Sequence, residues 1–367
     1  MDSNDFPIFL VATPGLEAPL AAEAAELGWQ PEIQPGGVAI RGNWSDIWRA
    51  NLMLRGATRV LARLGSFRAM HLAQLDKRAR KFPWGQWLRP DLPVRVEASC
   101  RASRIYHAGA ATQRIERAIA EELGAPIAAD AEIVVKLRIE DDLATISLDT
   151  SGESLHKRGH KEAVAKAPLR ETMGAMFLRE MGFDGSQTVL DPMCGSGTFV
   201  IEAAEISAGL AAGRSRRFAF EQLAGFDARA WAEMRAAVAP RGKGPLHYGS
   251  DRDSGAIRMC QANAARAGVA EAVRFACHPI TALQRPEGAP GIVIVNPPYG
   301  ARVGNRGLLH GLYAAMGQVL RNDFAGWRAG IVTSDSGLAR ATGLALQSGP
   351  VVAHGGLKVR LWQTGML

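Results

Sequence analysis

From Leu169 to the C-terminus, short apolar runs alternate with stretches of helical periodicity, and this alternation restricts the fold more than any other feature. The runs are "TVLDP", "LHYGSD", "VRFAC", "GIVIVN" and "RAGIVTSD"; helical segments over 169–181, from Gly197, over 254–268 and over 307–320 fall between them. Strands alternating with helices predict an α/β domain with a doubly wound, mostly parallel sheet. Right-handed crossovers then put a ligand crevice beyond the carboxyl ends of the strands. The segment "GIVIVNPPYG" (291–300) runs into that edge. Ile292 to Val295 show no polar alternation, as in a strand covered on both faces. Pro297 and Pro298 stiffen the exit and push Asn296 toward an extended conformation.

Two other strand ends carry polar groups. "VLDPMCGSGTFVIEAA" (189–204) reads as strand, glycine turn and helix. Gly195 and Gly197 let a ligand approach the backbone, and the amides opening the next helix attract an anionic group such as a carboxylate. This is neither the G-x-G-x-x-G fingerprint, since Val200 replaces its third glycine, nor a phosphate loop, since no G-K-[ST] follows. "YGSDRD" places Asp251 at the next strand end, where a carboxylate can accept both hydroxyls of a ribose. Asp251 lies 54 residues beyond Gly197, so an insertion over about 207–243, containing "GRSRRF", is expected. The order of the three ends suits a nucleoside cofactor, S-adenosyl-L-methionine, followed by its substrate. An exocyclic amine of a base is a poor nucleophile; Asn296 Oδ1 and the Pro297 carbonyl would accept its protons, and Tyr299 would stack on the flipped base.

The N-terminal half reads differently. Residues 8–65 suggest a small α/β unit: strand "IFLVA", a helix ended by Gly28, strand "GGVAIRG", and a long helix from Trp44, capped by Ser45 and closed by Gly65. Residues 66–155 suggest a second unit with a basic helix near 71–81, strand "PVRVEASC", helix "AGAATQRIERAIAEELG", and two strands joined by Asp141 and Asp142. The net charge of +7 is uneven: residues 1–154 hold 18 basic and 20 acidic side chains, and 155–367 hold 25 and 16. Lys77, Arg78, Arg80 and Lys81 are interleaved with Phe82, Trp84 and Trp87, a mixture that contacts phosphates and stacks on bases, or else covers a solvated helix face. The junction "LHKRGHKEAVAKAP" (155–168) is basic and broken by glycine and proline, as in a linker, and offers Lys157, Arg158 and Lys161 to phosphate.

These motifs together resemble the THUMP-domain class I methyltransferases, closest to the bacterial enzymes that methylate a guanine N2 amine in 23S ribosomal RNA. The resemblance spans the chain: "GGVAIRG", "LDTSGESLHKRGHKEAVAKAPLRETMGA", "LDPMCGSGT", "GSD" and "NPPYG". It implies a ferredoxin-like region over 1–65, a THUMP RNA-binding domain over 66–155, a linker over 156–168 and a Rossmann-like methyltransferase domain over 169–367. It assigns Asp191, Cys194, Gly195, Ser196, Gly197 and Thr198 to the methionine-binding loop, Asp251 to the ribose, Pro168 to the cofactor's vicinity, and Asn296, Pro297, Pro298 and Tyr299 to the target amine. His278 and Pro279 stand where the family has an aspartate near the adenine, and Ala301 where a glutamate is frequent. Ribosomal RNA, free or in an assembling large subunit, is the implied partner, and transfer RNA the alternative. Adenine methylation in DNA, glutamine methylation in protein, and an RNA-binding protein with a decayed cofactor site are further readings.

No run approaches the roughly 20 apolar residues of a membrane span, and "MDSNDFPIFLVATPG" has no signal-peptide pattern, so a cytoplasmic protein without membrane contact is expected. The four cysteines have no C-x-x-C spacing and no metal is expected; His156 and His160 are surrounded by cations. Cys194 reads as a small packing residue rather than a nucleophile.

Overall fold

The computed structural model describes residues 5–162, 169–300 and 306–367. Its first half runs β1 (Phe6–Val11), α1 (Glu17–Glu26), β2 (Glu32–Gln34), β3 (Gly37–Gly42), α2 (Trp44–Met53), β4 (Arg59–Arg68), α3 (Leu72–Arg80), β5 (Val94–Arg101), α4 (Ala108–Leu123), β6 (Ile133–Glu140) and β7 (Leu143–Asp149). All seven strands join one sheet in the order β2-β3-β1-β4-β7-β6-β5. The expected unit boundary at 65/66 falls inside β4, which pairs with β1 on one side and β7 on the other.

The expected long helix from Trp44 is therefore corrected. It stops at Met53, Leu54 is extended, and residues 59–68 are strand. Asn43, not Ser45, is its cap: Asn43 Oδ1 accepts from Ser45 N at 2.9 Å, and Asp46 Oδ2 accepts from Asn43 N at 2.9 Å. Tertiary contacts break the helical run. Arg55 turns into a buried ion cluster, and a Cβ on Gly56 would lie 2.3 Å from Met176 Sδ.

The second half runs α5 (Glu171–Glu180), β8 (Val189–Asp191), α6 (Thr198–Ser207), α7 (Ala228–Ala236), β9 (His247–Asp251), α8 (Ser254–Arg266), β10 (Val273–Cys277), β11 (Ile292–Val295), α9 (Arg306–Asp323), β12 (Arg328–Thr333), α10 (Ser336–Ala341), β13 (Gln347–Ser348), β14 (Val352–His354) and β15 (Leu357–Met366). The sheet order is β10-β9-β8-β11-β12-β15-β13, with β14 on β15. The first five strands are parallel and β15 is antiparallel to β12. This is the expected Rossmann-like, doubly wound sheet, and all four residues of β11 are fully buried at its centre.

The insertion ties the halves together. Phe218, Phe220 and Trp231 pack with Trp48 of α2, the Phe220 and Trp231 rings meeting edge to face with centroids 5.0 Å apart. Arg216 donates to the carbonyls of Ser151, Glu153, Ser154 and Lys157. Arg214 reaches Glu205 at 2.5 Å. The arginines 214 and 216 of "GRSRRF" hold structure rather than facing a solvent-borne ligand.

Candidate active site

The strand order reverses between β8 and β11: β9 and β10 lie on one side of β8, and β11 and β12 on the other. In open α/β sheets this is where ligands bind. The pairs Leu190↔Val293 and Asp191↔Gly249 bring the ends of β8, β9 and β11 to one edge. Asp191 and Asp251 end β8 and β9, and Asn296 follows β11, so the three residues lie at one edge of the sheet.

Backbone bonds shape the loop after β8. Met193 N donates to Asp191 Oδ1 at 3.0 Å, Cys194 N to Ser250 O at 2.9 Å and Gly195 N to Asp251 Oδ2 at 3.1 Å. The two glycines serve different purposes. Gly195 has φ +54°, and a Cβ there would meet no atom within 4 Å, so the loop's outer face is open to a ligand. Gly197 has φ +86°, and a Cβ would lie 3.2 Å from Cys260 Sγ, so this glycine permits helix packing. Thr198 then opens α6, whose first amides point at the loop. Ser196 is buried and its carbonyl accepts from Asn263 Nδ2 at 3.1 Å. Cys194 is buried with Sγ 3.6 Å from Cys260 Sγ; that neighbour and burial push its thiol up, which suits packing and not nucleophilic attack.

Asp191 is buried, and desolvation pushes its carboxyl up to about 8 against the opposing bond from Met193 N. Asp251 is half-buried, with each oxygen accepting one backbone N–H, from Gly195 and Asp253. Carboxylate oxygens have further lone pairs, which ribose hydroxyls can use. His278 sits beside it, donating its N to Asp251 O at 3.0 Å. An open glycine face between two acids fits a nucleoside carrying a charged amino-acid tail. Pro168 and Ala301 lie outside the described residues.

Past β11, Asn296 Oδ1 is buried and accepts no hydrogen bond among the described residues. Leaving such an acceptor unsatisfied costs about 1–3 kcal/mol, which a ligand N–H would relieve. Pro297 is buried and Pro298 half-buried, and the Pro298 carbonyl accepts from Tyr313 Oη at 3.3 Å. Tyr313 bears on the site through that bond, yet a tyrosine in an amphipathic helix reads only as core. Burial pushes the half-buried Tyr299 phenol up to about 12, leaving a neutral ring suited to stacking.

The basic residues assigned to RNA divide sharply. Arg158 is only 1% exposed, donating from Nε to Glu202 Oε1 at 3.0 Å and from Nη2 to Arg55 O at 2.9 Å. Lys161 Nζ lies 3.0 Å from Glu171 Oε1 and 2.7 Å from Thr198 Oγ1. Both expectations of phosphate contact are corrected, because these linker cations lie along α6 and are neutralised by buried carboxylates. Arg55 joins the same cluster, 2.8 Å from Glu202 and 3.1 Å from Glu205. Arg80 is held by Asp76, Glu121 and Glu122. Trp84 is also buried, donating to Ala79 O at 2.9 Å, and Phe82 and Trp87 pack against Trp84 and Trp44, so this aromatic set is core rather than a base-stacking surface. Lys77, Arg78 and Lys81 are exposed, and Lys157 is exposed but paired with Glu153.

Residues 158–351 match the model of the RMKL-like methyltransferase domain, and residues 7–61 that of the RlmL ferredoxin-like domain. The chain belongs to the RMKL-like methyltransferase family. Within that family it is 34% identical to the ribosomal RNA large subunit methyltransferase K/L of Syntrophotalea carbinolica, over 97% of this chain and 53% of that one. The chain spans about half the length of that relative. The crystal structure of SMU.472, complexed with SAH, superposes with a TM-score of 0.90 at 27% identity, covering 100% of this chain and 99% of that one. A predicted N6-adenine-specific DNA methylase from Listeria monocytogenes also gives 0.90, at 30% identity over 99% of this chain and 97% of that one. The ferredoxin-like assignment agrees with the sequence, and its sheet is continuous with the strands that follow.

Proposed function

We propose that the chain transfers a methyl group from S-adenosyl-L-methionine to the exocyclic N2 amine of a guanine in RNA, and that this RNA is 23S ribosomal RNA, free or in an assembling large subunit. The observation that carries this reading is the buried, unsatisfied Asn296 Oδ1 at the reversal of strand order. The open face at Gly195, with Asp191 and Asp251 on either side, holds the cofactor, which supplies an electrophilic methyl group on a sulfonium. Asn296 Oδ1 and the Pro297 carbonyl accept hydrogen bonds from the two amine N–H groups, restricting the delocalisation that makes the nitrogen a weak nucleophile, and the nitrogen gives up one proton to water as it gains the methyl group. Tyr299 stacks on the extruded base. The protein contributes orientation and electrostatics, for which no strong general base is required. The guanine assignment draws on the motif resemblance, and the ribosomal one also on the name borne by the Syntrophotalea relative.

Mass mapping of nucleosides from a strain lacking the gene tests the reading. One N2-methylguanosine should vanish from 23S ribosomal RNA and return with the gene. Loss of a transfer RNA methylguanosine, or of N6-methyladenine from DNA, would refute it.

A further inference from the structure

The turn after β11 leaves one torsion that its own sequence does not fix. Between Asn296 and Tyr299 the peptide planes are rigid, the rings of Pro297 and Pro298 set both of their φ angles, and each residue preceding a proline is confined in ψ. Pro298 is followed by Tyr299, so its ψ is the first angle that nothing local restrains. That angle sets the plane of the Pro298–Tyr299 peptide, and with it the direction in which Tyr299 leaves the turn relative to Asn296.

A residue from another element supplies the restraint. Tyr313 of α9 is fully buried and shares one core cluster with Met316 and Leu320 of its own helix and Val293 and Val295 of β11. A tyrosine in such a place must satisfy its hydroxyl within the protein. Its Oη donates to Pro298 O at 3.3 Å. Burial pushes the phenol up, so the proton stays on Oη to be donated.

The direction of that bond is set from behind. Thr333, fully buried at the end of β12, hydrogen-bonds the same phenol. A carbonyl can only accept, so the Tyr313 proton belongs to Pro298 O, and the Thr333 hydroxyl is the donor to Oη. Thr333 Oγ1 in turn accepts from Asp335 N at 3.2 Å, and Asp335 caps α10 by accepting from Gly337 N at 2.7 Å and Leu338 N at 3.2 Å. The chain from Asp335 N through Thr333 and Tyr313 to Pro298 O therefore runs one way, and each bond polarises the next. A phenylalanine would fill the same core volume, so only the hydroxyl has a use for this wiring.

We propose that Tyr313, oriented by Thr333, is a positioning residue for methyl transfer: its hydroxyl fixes the Pro298–Tyr299 peptide and so holds the Tyr299 ring in register with the Asn296 carboxamide. The proposal rests on the reading that these two residues hold the acceptor base.

Two measurements on the full chain test it: single-turnover methyl transfer to 23S ribosomal RNA from a strain lacking the gene, and fluorine NMR with its four tyrosines fluorinated. The line lost in Tyr299→Phe assigns the Tyr299 resonance. Tyr313→Phe should lower the rate at saturating RNA by about 10- to 100-fold, the scale of a misplaced reactant, with the affinities for RNA and cofactor changed by less than about twofold. Thr333→Val should slow transfer less, and the double variant should be no slower than Tyr313→Phe alone, since both act through one bond. The Tyr299 line should broaden or split in both single variants. An unchanged rate or an unchanged Tyr299 line overturns the proposal. So do single losses that multiply in the double variant, and a loss of rate matched by a loss of cofactor affinity. If the wild type methylates no RNA, the reading of the site falls, whereas the spectra still decide whether Tyr313 holds the turn.

Discussion

Lys161 Nζ sits 2.7 Å from Thr198 Oγ1, so the linker grips the residue that follows the glycine loop. The same ammonium is 3.0 Å from Glu171 Oε1, and both side chains are 8% exposed. Lys161→Met should therefore leave a buried carboxylate without its cation, at a cost of about 3 kcal/mol. The double variant Lys161→Met, Glu171→Met should recover most of that stability, since it removes the stray charge. It does not restore the bond to Thr198, so cofactor affinity should stay weakened in both variants. Urea denaturation and calorimetric titration separate the two effects; full recovery of affinity in the double variant would show that the grip on Thr198 does not matter.

Arg158 is expected to behave as a structural cation. Burial disfavours the Glu202 charge, but Arg158 and Arg55 outweigh it and hold that carboxyl below its ordinary range. Arg158→Ala should cost about 3–5 kcal/mol, and Arg158→Lys should rescue little because one guanidinium serves Glu202 and two carbonyls at once. Measured by denaturation midpoint, a loss under about 1 kcal/mol would place Arg158 among ordinary surface cations.

The contrast between halves shows what local sequence can and cannot reveal. The strands of the second sheet are legible because β-branched runs, glycine turns and prolines act within a few residues. Asn296 and Asp251 are legible because strand ends fix their position. β4 is hidden, since "RVLARL" satisfies a helical and an alternating pattern alike, and the residues just past α2 answer to distant ones, Arg55 pairing with Glu202 and Glu205. The linker is misread for a similar reason: Glu202 lies 44 residues from Arg158, and a basic run whose carboxylates are distant in sequence looks like a phosphate-binding surface. β15, antiparallel to β12, escapes a reading built on strand–helix alternation, although "LKVRLWQ" alternates.

Setting aside Arg80, Arg158 and Lys161, which carboxylates hold, and Lys157, which pairs with Glu153, leaves Lys77, Arg78 and Lys81 of the phosphate-binding set, which are exposed and form no ion pair among the described residues. Replacing these three by glutamine should reduce the slope of log affinity against log salt by about 2, near 0.7 for each phosphate that is no longer neutralised. Binding of a 23S ribosomal RNA transcript across a salt series measures it. An unchanged slope would remove α3 from the interface.

The Asp191 carboxyl, pushed by burial from 3.8 to about 8, gives the site a pH dependence with a definite sign. The folded value is the higher one, so the contribution of protonated Asp191 to stability is complete below about pH 4 and is lost as pH rises through about 8. A cationic ligand at the loop favours the carboxylate, so binding should release a proton. S-adenosyl-L-methionine affinity should therefore strengthen as pH rises toward 8, by up to about tenfold per unit, and Asp191→Asn should flatten the dependence. Titrations in buffers of different ionisation enthalpy count the proton; none released would mean that Asp191 is already charged in the free protein.

Asn296→Ala isolates the role of the buried carboxamide oxygen. Asn296 lies beyond the end of β11, while the groups shaping the glycine loop belong to the ends of β8 and β9, so the substitution leaves Asp191, Gly195 and Asp251 in place. Cofactor affinity should change less than about twofold, whereas kcat should fall by about 10²–10³, the scale of removing one charge-stabilising hydrogen bond from a transition state. Asn296→Asp keeps an acceptor but adds a charge beside a phenol that burial already holds neutral, so it should restore activity only in part. Single-turnover methyl transfer with radiolabelled cofactor reads kcat apart from binding. A variant that transfers methyl groups at the wild-type rate, or whose defect lies wholly in cofactor affinity, would mean that the amine is held by other groups.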